Sequence, residues 1–498
     1  MKTATTLSTK QLNLRKDRDR AGRVTQLTCF MFLLLTAVVR GQDVPDRILV
    51  GYWHNWTFSP NNLTLTQLPS EYDVINVSFA IPQPVFGSTM TFNPDANLYP
   101  NPATFISDVA TLQAQGKKVL ISIGGANGPV HLNNTTEINN FVTSMLSIIN
   151  TYGFDGLDID LEGGSLSIGP GDNDFTNPTS PRVVNFISAI HQLLALLPSD
   201  FLLTAAPETA TVQGALSAYA GVWGSYLAVL DALRNDLDWV QVQHYNTGSM
   251  LGRDGNIYNP ATADFHVAMA DMLITGFFVP AAGKTFAPLE PRQIVIGLPS
   301  STSAAGSGFT SNAIVHQALD HLYLGQTGSS SYQLGDQNGY PDFRGVMTWS
   351  INWDVNAGGI FSTGHRAYLD GVNLKSDTKL VTYSAGATVN FDLRAGVEHA
   401  GRTYYLVPTI SGTSPGTWLS SNRTFPINLD FFSDWPFEFA TQSFFPGFIG
   451  ILDGDGEATA TMNVPATPGQ PPYVTHYAFI LSYPWEFYSP AVRIDFIP

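Results

Sequence analysis

The sequence has almost no cysteine. Cys29 is the single one in 498 residues. It falls in an N-terminal apolar stretch, so the rest of the chain has no thiol for a disulfide or a thiolate metal site. Charge is scarce as well: 13% of residues are Asp, Glu, Lys or Arg, about half the usual share. Cations are the scarcer sign, 24 against 40 acids, for a net charge of −16. Up to Gln42 eight cations face only Asp17 and Asp19, a balance of +6, so the remainder carries −22. A chain of that sign repels phosphate backbones and anionic membranes, which argues against nucleic acid as a partner and for a neutral substrate.

The N-terminal apolar run, Leu27 to Val39, has 13 residues, too few for an ordinary bilayer span. It follows a basic start and precedes Arg40-Gly41-Gln42, the arrangement of a signal peptide over 1–41 cleaved near Gly41. A secreted, extracellular protein without membrane contact after cleavage is the expectation.

What is abundant is apolar and turn-forming sequence: 44% apolar, 12% aromatic, 44 Gly and 32 Pro. This length exceeds one ordinary core, so two domains are expected. Eight β-rich runs recur, at Ile48–Trp53, Val74–Phe79, Lys118–Ile123, Gly156–Leu161, Phe201–Ala206, Trp239–Tyr245, Gln293–Leu298 and Gly345–Ser350. Amphipathic segments such as Val183–Leu197 lie between them. Eight strands alternating with helices predict an α/β fold, a (β/α)8 TIM barrel over residues 46–375. An open doubly wound sheet competes, but it usually has fewer strands and a Gly-rich phosphate loop after the first. Here the first run leads into Trp53-His54-Asn55-Trp56. From Ser376 the helical period is lost and short runs (Thr403–Val407, Ala458–Met462, Tyr477–Leu481) alternate with turn residues. That texture predicts a small all-β sandwich-like domain over 376–498.

The fourth run carries the chemistry. In Phe154-Asp155-Gly156-Leu157-Asp158-Ile159-Asp160-Leu161-Glu162 the acids fall at i, i+3, i+5 and i+7. Side chains alternate along a strand, so Asp158, Asp160 and Glu162 share one face and Leu157, Ile159 and Leu161 the other. In a barrel the apolar face packs under the helices and the acids point into the mouth. Three carboxylates side by side are costly to bury unless one holds a proton, so a protonated acid is expected near neutral pH. That is what protonating a leaving oxygen requires. A Ca2+ loop would place such acids on a flexible Gly-rich turn instead.

This segment resembles the DxxDxDxE signature of glycoside hydrolase family 18. Further motifs follow in barrel order: Ser122-Ile-Gly124-Gly125 is similar to the family's SxGG strand, Ala206-Pro207-Glu208 to its fifth-strand ending, and Gln243-His-Tyr245-Asn246 to the QxYN form of strand six. Trp349 matches the tryptophan of strand eight. The resemblance implies a retaining, substrate-assisted chitinase with Glu162 as acid and base, because the nucleophile belongs to the substrate. Asp160 would then bind the acetamido N–H, Asp158 would share its proton, Asp155 would fix the strand end, and Tyr245 would hold the acetamido carbonyl. Gln243 could donate to the same sugar and Trp349 would floor it. Tyr52, Phe79 and Asn246 complete the expected substrate-binding set, while His244 should face away from the mouth.

The substrate expected is chitin or N-acetylglucosamine oligosaccharides, with no cofactor and no metal, acted on by a monomer. Gly345 follows Pro299 by only 46 positions, too few for the insertion that walls a deep groove in some relatives, so endo action is expected. An endo-β-N-acetylglucosaminidase and a non-catalytic chitin-binding lectin are the alternatives. The C-terminal aromatics (Trp418, Phe431, Phe432, Trp435, Phe437, Phe444, Phe445, Phe448) read first as a sandwich core and docked surface, second as a carbohydrate-binding face. Asp453-Gly-Asp455-Gly-Glu457 reads as a tight turn. Of six Asn-x-Ser/Thr sites, Asn76 lies inside an expected strand, so that one should be fortuitous.

Overall fold

The structure is a computed structural model. It describes residues 44–498 apart from 58–60, 326–329, 338, 341, 372–373, 379, 396–398, 414–415, 421–422, 439–443, 486 and 490. The signal-peptide reading of 1–41, with Cys29, lies outside the described residues. Among the described residues no helix is long and apolar enough to cross a membrane.

The eight runs form eight parallel strands: β1 Ile48–His54, β2 Val74–Pro82, β3 Lys118–Gly124, β4 Gly156–Asp160, β5 Leu202–Ala205, β6 Trp239–Gln243, β7 Ile294–Pro299 and β8 Gly345–Trp349. Each pairs with the next, and β1 pairs with both β2 and β8, so the sheet closes. Helices flank it, among them Thr135–Tyr152 and Pro181–Leu194. The first is capped by Asn134, whose side chain accepts from Glu137 N–H, and ends at Gly153 in the left-handed conformation. The second begins at its proline, two residues before the amphipathic pattern starts, since proline suits a first helical turn.

Strand alternation divides the apolar side chains into two cores. Leu49, Trp53, Leu157, Ile159 and Leu161 join the layer between strands and helices. Ile48, Val50, Leu120, Trp239, Val295 and Met347 fill the lower barrel interior. The inward positions above that plug belong to the acids, Asp158 and Asp160. Asn76 is fully buried on β2, which leaves no surface for a glycan at that sequon.

Residues from 374 onward form a three-stranded antiparallel sheet (Leu374–Ser376, Ala387–Arg394, Glu457–Val464) and a mixed five-stranded sheet (Leu380–Thr382, Val492–Ile497, Tyr473–Leu481, Thr403–Thr409, Ile449–Ile451), in which the first two strands run parallel. Along Ala387–Arg394 burial alternates strictly, with Val389, Phe391 and Leu393 inward. They meet Tyr404, Tyr477 and Phe479 of the facing sheet. The aromatics of this region divide: Phe432, Phe445 and Phe448 are core, whereas Trp418 and Phe431 stand in solvent. Asp453 accepts from the N–H groups of Asp455 and Glu457, the hydrogen bonding of a turn. The sandwich meets the barrel at its base, where Arg47, Arg292 and Arg344 line a cavity of about 290 Å³ together with Arg493 and Asp495.

Candidate active site

The barrel mouth lies at the carboxyl ends of the strands, where loop residues of several strands converge. Asp158 is fully buried and receives four donors: Tyr52 Oη (2.5 Å) and Ser122 Oγ (2.7 Å) on Oδ2, Thr204 Oγ1 (2.6 Å) and Gln241 Nε2 (2.8 Å) on Oδ1. These come from β1, β3, β5 and β6, so barrel closure delivers them to one carboxylate. Burial pushes its pKa up and the four hydrogen bonds pull it back, with a net rise.

Asp160 accepts from Gln243 Nε2 at 2.9 Å, and the same nitrogen lies 3.3 Å from Glu162 Oε1 and 3.1 Å from the Ala206 carbonyl. Burial, then repulsion from Glu162, Asp158 and Glu208, holds the Asp160 carboxyl well above the usual carboxylate range. Burial also lifts Glu162, against the Gln243 hydrogen bond and with help from Glu208, to about 7. Asp158 is held by neutral donors from four strands, and Asp160 is linked to Glu162 through Gln243. The Gln243 amide nitrogen thus stands between the two acids.

The glycines of the third-strand motif have steric reasons. A Cβ on Gly124 would fall 2.3 Å from the Asp160 carbonyl, and one on Gly125, at φ 64°, would strike the Phe79 ring at 2.8 Å. Gly125 N–H donates to that same Asp160 carbonyl. The loop after β3 is thereby pressed onto the end of β4, with room left for Phe79.

Phe79 and Trp349 stack at 5.9 Å and 15°. Trp349 also contacts Tyr52 and His54, and His54 stacks on Trp56 at 4.3 Å and 13°. Burial lowers the His54 pKa to about 3, so the ring is neutral. The result is a floor of Trp349, Phe79 and Trp56 with Tyr52 beneath. Tyr52 is 1% exposed and works through its bond to Asp158. Tyr245 is buried at the other wall, where burial and the nearby Asp160 and Glu162 keep its phenol protonated.

Three sequence-derived residues stand apart from this cluster. Asn246, at φ 50°, uses its Oδ1 to accept from Gly306 and Ser307 N–H, which anchors the loop after β7. Asp155 sits at the base end of β4 and accepts from Val119 N–H at 2.8 Å, which suits a strand clamp and not a sugar contact. His244 faces the helix layer and meets His266 at 3.1 Å.

Besides Thr204 and Gln241, which donate to Asp158, two more participants were not singled out from the sequence. Glu208 accepts from Gly163 N–H at 3.1 Å, while its backbone bridges to Gln243; the Ala206-Pro207-Glu208 ending was its signal. Trp56 had only its place beside His54 in an aromatic run.

The pattern that defines Glycosyl hydrolases family 18 matches residues 48–313, a segment that contains every acid above. The chain belongs to glycosyl hydrolases family 18. It is 46% identical over 387 residues to Chitinase Chi52 of Paenibacillus xylanexedens, across 76% of this chain and 72% of that protein. It is also 46% identical over 386 residues to Chitinase D of Niallia circulans, with the same coverage. Among solved structures it resembles a family GH18 chitinase from Chromobacterium violaceum, at 40% identity and a TM-score of 0.60, over 66% of this chain and 84% of that one. Family 18 membership accounts for the barrel. The added sheets after residue 374 lie beyond the matched segment.

Proposed function

We propose that this family 18 enzyme hydrolyses the β-1,4 bonds of chitin and related N-acetylglucosamine polymers with retention of configuration. The observation that carries the reading is the shared donor: one Gln243 nitrogen reaches both Asp160 and Glu162. The two carboxyls therefore stand side by side on one face of the cleft. A second carboxylate in that position cannot attack an anomeric carbon from the side opposite the acid, as the two-carboxylate retaining scheme demands. The nucleophile is then the substrate's own acetamido oxygen.

Glu162, at a pKa of about 7, carries the proton for the leaving oxygen and afterwards draws one from water. Asp160 accepts from the acetamido N–H and, with its proton shared with Asp158, places negative charge beside the cyclic oxazolinium ion. Tyr245 donates its protonated phenol to the acetamido carbonyl. Trp349, with Phe79 beside it, supports the distorted sugar from below. Residues 46–375 form the catalytic unit and 376–498 a separate sandwich. The short link between β7 and β8 leaves the cleft open, which fits endo cutting by a secreted monomer.

The test is a time course of wild type and Glu162→Gln on N-acetylglucosamine hexamer and on a high-mannose glycopeptide. Hexamer cleavage to initially β-anomeric products, lost in the variant, supports the reading. Glycopeptide release without hexamer cleavage would move it to an endo-β-N-acetylglucosaminidase, and inactivity on both to a lectin. Almost exclusive dimer release from one chain end would overturn endo action.

A further inference from the structure

The loop that follows β2 carries a feature the catalytic cluster does not use. It folds back on itself, with Gly87 N–H donating to the Pro84 carbonyl and Gln83 N–H to that of Thr89. At its tip Val85 and Phe86 are 56% and 61% exposed. Phe86 has φ 64°, a left-handed conformation that a bulky side chain adopts only against steric resistance. Backbone strain spent on holding a phenyl ring in solvent is unusual for packing, because the ring gains no burial from it.

The ring nevertheless has a firm support. It lies 5.0 Å from the His131 ring, at 37°, and His131 N–H donates to the Gly87 carbonyl. His131 Nε2 is 3.1 Å from Arg182 Nη1. A guanidinium only donates, so Nε2 is the acceptor and the imidazole is neutral. Burial and the Arg182 charge both favour that neutral form. Arg182 stands on the first turn of helix Pro181–Leu194. Its Nη1 also donates to the Gly164 carbonyl and its Nε to Asn133 Oδ1. Gly164 is two residues beyond Glu162. Contacts thus run from the segment just after the catalytic acid through Arg182 and His131 to Phe86, along the β2–β3–β4 side of the mouth.

A flat apolar ring beside a rim of guanidinium, imidazole and amide groups is the surface that a pyranose takes: C–H groups on the ring face, hydroxyl and acetamido groups on the polar rim. We propose that Phe86, backed by His131 and Arg182, forms an outer subsite for an N-acetylglucosamine unit of the same polymer, beyond the two sugars that flank the scissile bond. The inference rests on the substrate reading above and adds where a longer chain is held. It makes Phe86 a specificity residue for chain length.

The experiment compares wild type, Phe86→Ala and Phe86→Gly on N-acetylglucosamine hexamer and on an aryl glycoside of the dimer. Loss of one aromatic stacking contact predicts a fall in kcat/KM on the hexamer of about three- to tenfold. The change on the short glycoside should stay below about twofold, and the hexamer's product ratios should shift. Phe86→Gly accepts the left-handed backbone without strain, so an equal loss in both variants places the effect in the missing ring. An equal fall on long and short substrates, or none on either, overturns the subsite while the activity reading stands. A change in oligomeric state on sedimentation, with the hexamer rate unaltered, overturns it in favour of a contact between copies. Wild type inactive on both substrates would sink the activity reading and the subsite together.

Discussion

The two ends of one barrel treat buried acids in opposite ways. At the base Asp73 accepts from Leu49 N–H at 2.8 Å and from Arg366 Nη1 at 2.6 Å. Close by, the cavity beneath the barrel is lined by Arg47, Arg292, Arg344 and Arg493 alongside acids. Arg344 also lies over the Trp239 ring at 5.6 Å. At the mouth the donors to Asp158 and Asp160 are Tyr52, Ser122, Thr204, Gln241 and Gln243, all of them neutral. Burial raises carboxyl pKa values at both ends, but only at the base do cations oppose it: Arg366 and Lys117 both pull Asp73 back down. Neutral donors orient a carboxylate without cancelling its neighbours' repulsion. The mouth therefore keeps protons on acids near neutral pH, and the base makes a charge-paired foundation.

That contrast can be broken by substitution, and the largest effect belongs to the mouth. Asp160→Asn removes the acceptor for the acetamido N–H and the charge opposite the oxazolinium ion. A loss of kcat of about 100- to 1000-fold is expected on N-acetylglucosamine hexamer, with the melting temperature unchanged or raised because one repelling acid is gone. A kcat within tenfold of wild type would remove Asp160 from the mechanism.

The base should respond in stability and not in rate. Arg366→Ala leaves Asp73 partly buried with the Leu49 N–H and the more distant Lys117 charge, at a cost of about 2–3 kcal/mol, since both members of the lost pair keep some solvent contact. Denaturant unfolding should report that loss while kcat at 25 °C stays within about twofold. A large rate effect with unchanged stability would mean that the two ends are coupled.

The smallest effect sharpens the comparison. Glu208 raises the Glu162 pKa by repulsion, so Glu208→Gln should let Glu162 lose its proton at lower pH. Wild-type kcat/KM should fall above about pH 7, as the required proton leaves, and in Glu208→Gln that fall should begin at lower pH by up to about one unit. Glutamine keeps an acceptor for Gly163 N–H, so the structure of the loop is retained. A basic limb that stays in place, or moves upward, would show that the charge does not act on the acid.

Much of this architecture was readable before folding. The alternation Leu157-Asp158-Ile159-Asp160-Leu161-Glu162 dictates which side chains face inward, because a strand has a period of two. The eight runs agree with the eight strands to within two residues at their ends, except that β2 runs three residues further, to Pro82. The helix expected at Val183–Leu197 occupies Pro181–Leu194; its start is earlier because proline opens it.

What no local pattern contains is which strands supply which partner. Thr204, Gln241 and Ser122 look like ordinary polar strand residues until the closed register aims them at Asp158. Gln243, read as a sugar donor, becomes the link between Asp160 and Glu162 for the same reason. The order of the acids, their common face and the apolar face behind them were determined by the sequence alone, through the fixed geometry of an extended chain. Tertiary structure decided which of them hold protons and which rings form the floor. Those outcomes depend on burial and on distances between strands far apart in sequence, and such distances exist only once the barrel closes.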